Sequence, residues 1–286
     1  MVSSKSLLLL SLALIISINQ LQALEPRYFQ DNYCYNIDVN GTFGKNLNHL
    51  LSYLPLSSNA TYTGVYCSSY GEIPEKAYAT GFCRGDLKAD ACATCFSESA
   101  FRLVSNACPE EREAFVWYEN CTLRYSNRSI YGIMNDTHAS IQYYGNMSSP
   151  ENEFSRRVTT FLGRLRSEAL SDGDVRNFAS GFSEAPNNST LQLYEIMQCS
   201  PDLSEEDCNS CLGGGSDMLQ CCYASWTFVT ISCNIRYEPS LFFDPATDPT
   251  QSPLPSAATT LMPPSPSVSD TASNAGGTYK RFILVS

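Results

Sequence analysis

The chain has 286 residues, 13 cysteines and a formal charge of −11. This length is enough for two domains of ordinary size, each with its own apolar core. An acidic chain with scattered Lys and Arg lacks the basic patch that nucleic acid or anionic lipid requires, so the charge excludes both as partners.

The amino terminus is typical of a secreted protein. Lys5 precedes the apolar run from Leu7 to Ile16, and Ala23 is a small residue at the position expected for cleavage. We therefore interpret residues 1–23 as a signal peptide, too short to be a membrane span. Outside the cell, this cysteine density indicates a disulfide framework. Sequons give eight candidate glycosylation sites: Asn40, Asn59, Asn120, Asn127, Asn135, Asn146, Asn187 and Asn188.

A cysteine triplet with the spacing Cys-x8-Cys-x2-Cys occurs twice, at Cys83 and again at Cys199. An offset of 116 residues superimposes the two triplets. Downstream, Cys121-Thr-Leu-Arg-Tyr matches Cys233-Asn-Ile-Arg-Tyr with an offset of 112. The chain therefore contains two copies of one domain.

The predicted elements follow the same order in both copies. Each copy begins with an amphipathic helix, from Phe43 and from Phe154, whose apolar residues recur at i, i+4, i+7, i+8 and i+11. A second helix begins near Asp90 and at Ser204, where Ser204 and Asp207 resemble a capping box. Clusters of aromatic and β-branched residues predict strands over residues 61–66, 78–83, 114–118, 121–125, 191–199 and 225–237. The sum is an α+β fold with two helices on an antiparallel sheet per copy.

Residues 244–286 form a Pro/Ser/Thr-rich tail, which we expect to be disordered because it buries too little apolar surface. The tail ends with Lys280-Arg281 and then Phe-Ile-Leu-Val. Four apolar residues are too few to span a bilayer, which takes roughly 20, so we predict no membrane span in this chain. Two interpretations stay open: a secreted protein, or a truncated receptor of the plasma membrane.

Together, these motifs resemble the ginkbilobin-homologous, or stress-antifungal, domain of land plants over about residues 28–243. Two such domains occur in plant cysteine-rich repeat secretory proteins, in the ectodomains of cysteine-rich receptor-like kinases and in plasmodesmata-located proteins. The resemblance implies tandem domains at residues 28–135 and 141–243, each with two helices on a five-stranded antiparallel sheet.

The resemblance also implies a disulfide connectivity. The pairs are Cys34–Cys108, Cys83–Cys92, Cys95–Cys121, Cys199–Cys208 and Cys211–Cys233. The second copy has no counterpart of Cys34, and Cys67, Cys221 and Cys222 have no assigned partner. Because 13 is odd, at least one thiol is free or bonds outside the chain.

The ginkbilobin prototype binds mannose through an Asn, an Arg and a Glu, and this chain keeps one of the three residue types. The first copy has Tyr35, Phe115 and Ser126 at those positions. The second copy has Thr227 in place of the Arg, and Glu238 matches the Glu. Glu238 is thus the one candidate ligand-binding residue.

No catalytic group is predicted. The chain has two histidines, His49 and His138, and neither has an acid–base partner in the sequence. We therefore predict no enzyme activity, no cofactor and no metal. Arg124 and Arg236 are expected to brace strands. Four aromatic residues on or near the strands are expected to pack in the cores or to form an interface: Trp117, Tyr118, Tyr223 and Trp226.

The resemblance implies a secreted, apoplastic, non-enzymatic recognition protein of plant stress or defence signalling. Its partner would be a protein or a carbohydrate, including a cell-surface receptor. The alternatives are a mannose-binding antifungal lectin and the truncated ectodomain of a cysteine-rich receptor-like kinase.

Overall fold

The computed structural model describes residues 29–38, 41–54, 64–109, 111–146, 151–171, 177–183, 192–219, 223–245 and 280–285. The predicted signal peptide lies outside these residues, and so do Cys221, Cys222 and four of the sequons: Asn40, Asn59, Asn187 and Asn188. Within the described ranges, no helix is both long and apolar enough to cross a membrane.

The first domain has two helices and five strands. In chain order they are β1 (Phe29–Asp38), α1 (Thr42–Ser52), β2 (Val65–Tyr70), β3 (Ala77–Cys83), α2 (Ala89–Arg102), β4 (Glu111–Tyr118) and β5 (Cys121–Ser126). A π-helical turn, Leu103–Ala107, extends α2. The sheet is antiparallel with the strand order β1-β4-β5-β3-β2.

The second domain repeats this topology. Its elements are β6 (His138–Asn146), α3 (Glu151–Ala169), β7 (Phe178–Ser183), β8 (Leu193–Cys199), α4 (Glu205–Asp217), β9 (Tyr223–Val229) and β10 (Cys233–Glu238). The order β6-β9-β10-β8-β7 matches that of the first sheet, and β11 (Lys280–Val285) adds a sixth antiparallel strand beside β6. The predicted α+β fold class is thereby confirmed.

The helices form where the sequence predicts them because their apolar stripes face the sheets. In α1 the buried side chains are Phe43, Leu47, Leu50 and Leu51, the spacing of one helical face. At the start of α4, the backbone N–H of Asp207 donates to Ser204 Oγ at 3.1 Å, which satisfies one of the free donors of the first turn.

Among the described residues, five disulfides fix the helices to the sheets, and they are the same five pairs that the family resemblance implies. Two bridges occur in both domains: one joins the third strand, β3 or β8, to the second helix of the domain, and one joins that helix to the following hairpin. The pairs are Cys34–Cys108, Cys83–Cys92, Cys95–Cys121, Cys199–Cys208 and Cys211–Cys233.

The second domain has a ring stack where the first has its long-range bridge. Cys34 pairs with Ala114 in the β1–β4 register, and Tyr143 pairs with Trp226 at the corresponding place in β6 and β9. The ring of Tyr143 stacks on Tyr223 at 4.0 Å between centroids.

Several expected boundaries are wrong. The run 225–237 is two strands, because Thr230 Oγ1 accepts hydrogen bonds from the backbone N–H groups of Ser232 and Cys233 and closes a tight turn. The first predicted strand, 61–66, overlaps β2 (Val65–Tyr70) only at residues 65 and 66, and its residues 61–63 lie outside the described part of the chain. β1, β6 and β7 were not predicted at all, because polar residues and glycine interrupt their sequences.

The prediction of a disordered tail over residues 244–286 is wrong for residues 280–285. These form β11, whose register pairs Phe282 with Ile141 and Val285 with His138. The run Phe-Ile-Leu-Val has high β propensity, and β6 offers an outer edge whose backbone groups lack a strand partner without β11. Residues 246–279 lie outside the described part of the chain.

Candidate functional site

The two domains pack against each other through the sheet faces that their helices leave uncovered. Along β4, side chains alternate: Val116 points into the first core, whereas Phe115 and Trp117 point out of it. Phe115 and Trp117 form a separate buried cluster with Val229 and Ile231 of the second domain. We call this contact surface the seam, and it explains the apolar character of both faces of β4.

An ion network closes the seam at one end. Arg236 Nη1 donates to Glu119 Oε1 at 2.8 Å across the seam, and Nη2 donates to Glu238 Oε1 at 2.6 Å on its own strand. The guanidinium also lies over the ring of Phe242 at 4.2 Å. Arg84 Nη1 approaches Glu119 Oε1 at 3.8 Å from the first domain.

Direct hydrogen bonds join the domains as well. The side-chain amide of Gln198 donates to the carbonyl of Cys83 at 2.9 Å and accepts from the N–H of Gly85 at 3.3 Å. The N–H of Gly132 donates to Asp202 Oδ2 at 2.8 Å. With apolar, ionic and hydrogen-bonded contacts along it, the seam holds the two domains as one unit.

Glu238, the candidate mannose ligand, belongs to this seam. Its Oε1 accepts two hydrogen bonds from Arg236, through Nε at 2.8 Å and through Nη2. Thr227 pairs with Arg236 in the β9–β10 register, and both line a seam cavity of about 20 Å³. Such a volume holds about one water molecule, so this cavity does not admit a hexose.

The other predicted residues have structural surroundings. Arg124 Nη2 donates to Glu113 Oε1 at 2.6 Å, which braces β5 against β4. The His138 ring lies 3.7 Å from the Tyr33 ring, and Thr137 Oγ1 is 2.9 Å from its Nδ1. Among the described residues, no group of three or more His, Cys, Asp or Glu is placed to hold a metal ion.

Cys67, which is free, and the sequons within the described residues fall in different settings. Cys67 is exposed on β2, the outer strand of the first sheet, with Thr80 Oγ1 at 3.3 Å from its Sγ. Asn120 and Asn127 are half-buried, and Asn135 Oδ1 accepts hydrogen bonds from Thr137. Asn146 ends β6. Glycan occupancy stays a prediction.

Of the predicted aromatic residues, Trp226 is buried in the second core and Tyr118 in the first. Trp117 belongs to the seam instead. Tyr223 packs against the second core. The strands therefore use their aromatic residues within the molecule, and the candidate binding surface lies elsewhere.

That surface is a pocket of about 430 Å³ between α3 and β7. Its lining combines cationic, hydroxyl and aromatic side chains: Arg156, Arg157, Thr160, Phe161, Arg164, Phe182 and Ser183. No carboxylate is among the lining residues that the structure describes. The chain has a net charge of −11, but the three guanidinium groups make this pocket locally positive. We call this site the arginine pocket.

Fixed contacts position two of the three guanidinium groups. Arg157 Nη2 donates to Ser183 Oγ at 3.1 Å. Arg164 lies over the ring of Phe161 at 4.4 Å and has Glu168 one turn away, at 3.4 Å, in a solvent-exposed pair. An exposed ion pair of this kind contributes little to stability. Arg164 therefore exchanges Glu168 for another anion at a low cost in free energy.

The first domain shows how the arginine pocket arises. The helix offset of 111 residues places His49 and Tyr53 where the second domain has Thr160 and Arg164. The strand registers place Tyr70 opposite Ala77 and Ser183 opposite Leu193, so Ser183 occupies the position of Tyr70. In the first domain these positions hold packed rings: His49 lies 3.8 Å from Tyr70 and 4.9 Å from Tyr53.

A buried carboxyl lies within electrostatic reach of the same arginines. Glu195 on β8 is fully buried, and neither of its oxygens has a hydrogen-bond partner among the described residues. Burial raises the pKa of Glu195 well above its ordinary value, against the opposing effect of Arg157 and Arg164. Glu195 pairs with Gly181 in the β7–β8 register, and Gly181 has no side chain beside it. In the first domain, Ala79 occupies the position of Glu195.

The arginine pocket was not predicted from the sequence. The signal was present in part, because the offset of the helices already aligns Thr160 with His49 and Arg164 with Tyr53. The contribution of Ser183 depends on the register of β7, a strand that the sequence pattern did not reveal.

Comparison with known proteins defines the class. The family described as Salt stress response/antifungal matches residues 30–128 and 140–240. The cysteine-rich receptor-like protein kinase 29 of Arabidopsis thaliana is 35% identical over an alignment of 237 residues that covers 78% of this chain and 35% of the kinase. The antimicrobial ginkbilobin-2-like protein of Castanea crenata is 32% identical over an alignment of 252 residues that covers 85% of this chain and 100% of that protein.

The fold agrees with a solved structure. The crystal structure of the tandem DUF26 ectodomain of the Arabidopsis thaliana cysteine-rich receptor-like protein PDLP5 has a TM-score of 0.61 and 24% sequence identity, covering 74% of this chain and 99% of that one.

This chain belongs to the Salt stress response/antifungal family and carries two copies of its domain in tandem. It spans about a third of the length of the kinase relatives that it matches, and the match lies in their ectodomain region.

Proposed function

We propose that this protein is a secreted, non-enzymatic recognition protein of the plant apoplast that acts in stress or defence signalling. It binds a protein or carbohydrate partner through the second domain. The observation that carries the proposal is the arginine pocket, a concave site that the second copy opens where the first copy has packed rings. Duplicated domains that keep one fold and differ at one surface are typical of a scaffold that presents a binding site.

The seam supports a binding role over catalysis. It fixes the orientation of the two domains, and rigid scaffolds hold recognition surfaces with little ordering cost on binding. Among the described residues, both histidines pack against aromatic rings, and the Thr137 hydroxyl beside His138 donates to Asn135 Oδ1 at 2.8 Å. Secretion is supported by the apolar leader, the disulfides and the secreted or receptor-type relatives.

The proposed function and its alternatives differ in the target on which the purified protein acts, plant tissue or fungal hyphae. The protein is expressed in leaves with its own leader, recovered from apoplastic washing fluid and added at equal concentration to leaf discs and to growing fungal hyphae. A recognition protein changes the oxidative burst of the leaf discs and leaves hyphal growth unchanged. Reduced and alkylated protein is the control for both assays.

Two results would overturn the proposal. Retention of the protein inside the cells would exclude an apoplastic role. Inhibition of hyphal growth that free mannose reverses, with no response of the leaf discs, would favour the mannose-binding lectin, and loss of that inhibition on Glu238→Ala would assign it to Glu238.

A further inference from the structure

We propose that the arginine pocket binds a carboxylated sugar, namely a hexuronate unit of an acidic oligosaccharide. This inference rests on the proposed recognition function and specifies its ligand class. It concerns a site outside the seam, and it uses neither Glu238 nor Thr227.

The charge of the pocket selects an anion. Arg156, Arg157 and Arg164 all line it, and a planar guanidinium binds a carboxylate through two parallel hydrogen bonds. Polyanions of nucleic-acid or membrane size are disfavoured, because the chain as a whole carries a net charge of −11 and repels them. A small ligand with one or a few negative charges fits both facts.

The remaining lining selects a sugar over a bare anion. The hydroxyl groups of Thr160 and Ser183 supply short donors and acceptors, and Phe161 and Phe182 supply apolar ring surface. A sulfate or phosphate ion gains nothing from those rings. A pyranose ring has hydroxyls at its edge and C–H groups on its faces, so it matches both kinds of lining, and a volume of about 430 Å³ suits one or two such units.

The buried carboxyl does not compete with a ligand. Glu195 has no hydrogen bond to either arginine among the described residues, although Arg157 and Arg164 act on it electrostatically. Burial holds this carboxyl toward its neutral form. Glu195 therefore does not neutralise the positive charge of Arg157 or of Arg164.

Isothermal titration calorimetry of the full secreted protein tests the inference with three probes at equal ionic strength: trigalacturonate, the neutral galactotriose and inorganic sulfate. Trigalacturonate is expected to bind saturably at one site, and each of the other two at least about tenfold more weakly, since the carboxylate and the ring each contribute.

Variants locate the site. Arg164→Gln and Arg156→Gln change exposed side chains and are each expected to weaken trigalacturonate binding by about tenfold. Thr160→His/Arg164→Tyr installs two of the three rings of the first domain and is expected to abolish binding. Lys45→Gln is the matched control, because Lys45 is the exposed first-domain counterpart of Arg156 and its loss changes the net charge equally.

Three outcomes would overturn the inference: no saturable binding of trigalacturonate, sulfate binding as tight as trigalacturonate binding, or equal affinity in Arg164→Gln, Arg156→Gln and Lys45→Gln. The leaf-disc assay keeps the two proposals apart. A leaf response without trigalacturonate binding refutes the ligand class and leaves the recognition function standing. Trigalacturonate binding that these variants weaken, without a leaf response, supports the ligand class and refutes the signalling function.

Discussion

Arg236 of β10 and Glu119 of the β4–β5 turn form an ion pair at 2.8 Å across the seam between the two domains. The same guanidinium holds Glu238 at 2.6 Å, and its side chain is 15% exposed. Arg236 thus connects the second sheet to the first domain. It also forms an ion pair with Glu238, the one residue that matches the mannose site of the ginkbilobin prototype.

Arg236→Ala is expected to lower the free energy of unfolding by about 2–4 kcal/mol, because it leaves Glu238 without its cation and leaves Glu119 only the longer contact with Arg84 at 3.8 Å. Urea unfolding followed by intrinsic fluorescence measures the change. Arg128→Ala serves as the control: Arg128 pairs with Glu113 at 2.9 Å but is 76% exposed, and its loss is expected to cost less than about 1 kcal/mol. Equal effects of the two substitutions would show that the seam pair does not stabilise the fold.

Glu195→Gln is expected to change the pH dependence of stability. Burial raises the folded-state pKa of Glu195 above its ordinary value of 4.5, so the folded protein binds more protons than the unfolded chain between the two pKa values. Stability from this group is fully present below the unfolded pKa and is lost as the pH rises toward the folded pKa. Each unit of difference corresponds to about 1.4 kcal/mol.

Thermal unfolding of the wild type and of Glu195→Gln at pH 4 and at pH 8 measures this effect. The two proteins are expected to be similar at pH 4, and the Gln variant to be the more stable at pH 8. A constant difference at both pH values would mean that Glu195 does not titrate differently in the folded state.

The sequence predicted those parts of the fold that depend on local spacing. Cys92 and Cys95 lie one helical turn apart, so their spacing placed both on one face of a helix, whereas their pairing with the strands was implied by the family resemblance. The apolar stripe from Phe43 likewise identified its helix, because burial of one face follows directly from the period.

Elements that depend on long-range pairing were missed. β7 has the sequence Phe-Ala-Ser-Gly-Phe-Ser, without a β-branched residue, and it becomes a strand because it pairs with β8. The arginine pocket follows from that pairing, which brings Ser183 beside Arg157, and Gly181 beside Glu195. The seam also depends on tertiary contacts. The alternation of Phe115 and Trp117 with core residues along β4 indicates a second buried face, but the sequence does not show which residues cover that face.

The disulfides are expected to contribute unequally to the free energy of unfolding, according to the length of the loop that each one closes. Replacing both cysteines of the Cys34–Cys108 bridge by alanine releases a loop of 74 residues, and a loop of that size corresponds to about 4.5 kcal/mol. The Cys83–Cys92 bridge closes 9 residues, which corresponds to about 2.5 kcal/mol in the same chain-entropy treatment. Urea unfolding of the two double variants measures the order, and a larger loss for the Cys83/Cys92 pair would contradict it.

Removal of residues 280–286 is expected to expose the outer edge of β6. Those β6 amides that point away from β9 lose their strand partner, so their hydrogen exchange is expected to rise by about tenfold or more. Amides of β10, in the middle of the same sheet, are the internal control. Unchanged exchange in β6 after the truncation would show that β11 does not pair stably with it.

A crystal structure of the protein soaked with trigalacturonate tests most directly whether the second domain binds its ligand between α3 and β7. The expected result is a uronate carboxylate within hydrogen-bonding distance of Arg156, Arg157 or Arg164, with its ring against Phe161 or Phe182. Ligand density at the seam beside Glu238, or at the His49, Tyr53 and Tyr70 rings of the first domain, with the arginine pocket empty, would contradict it.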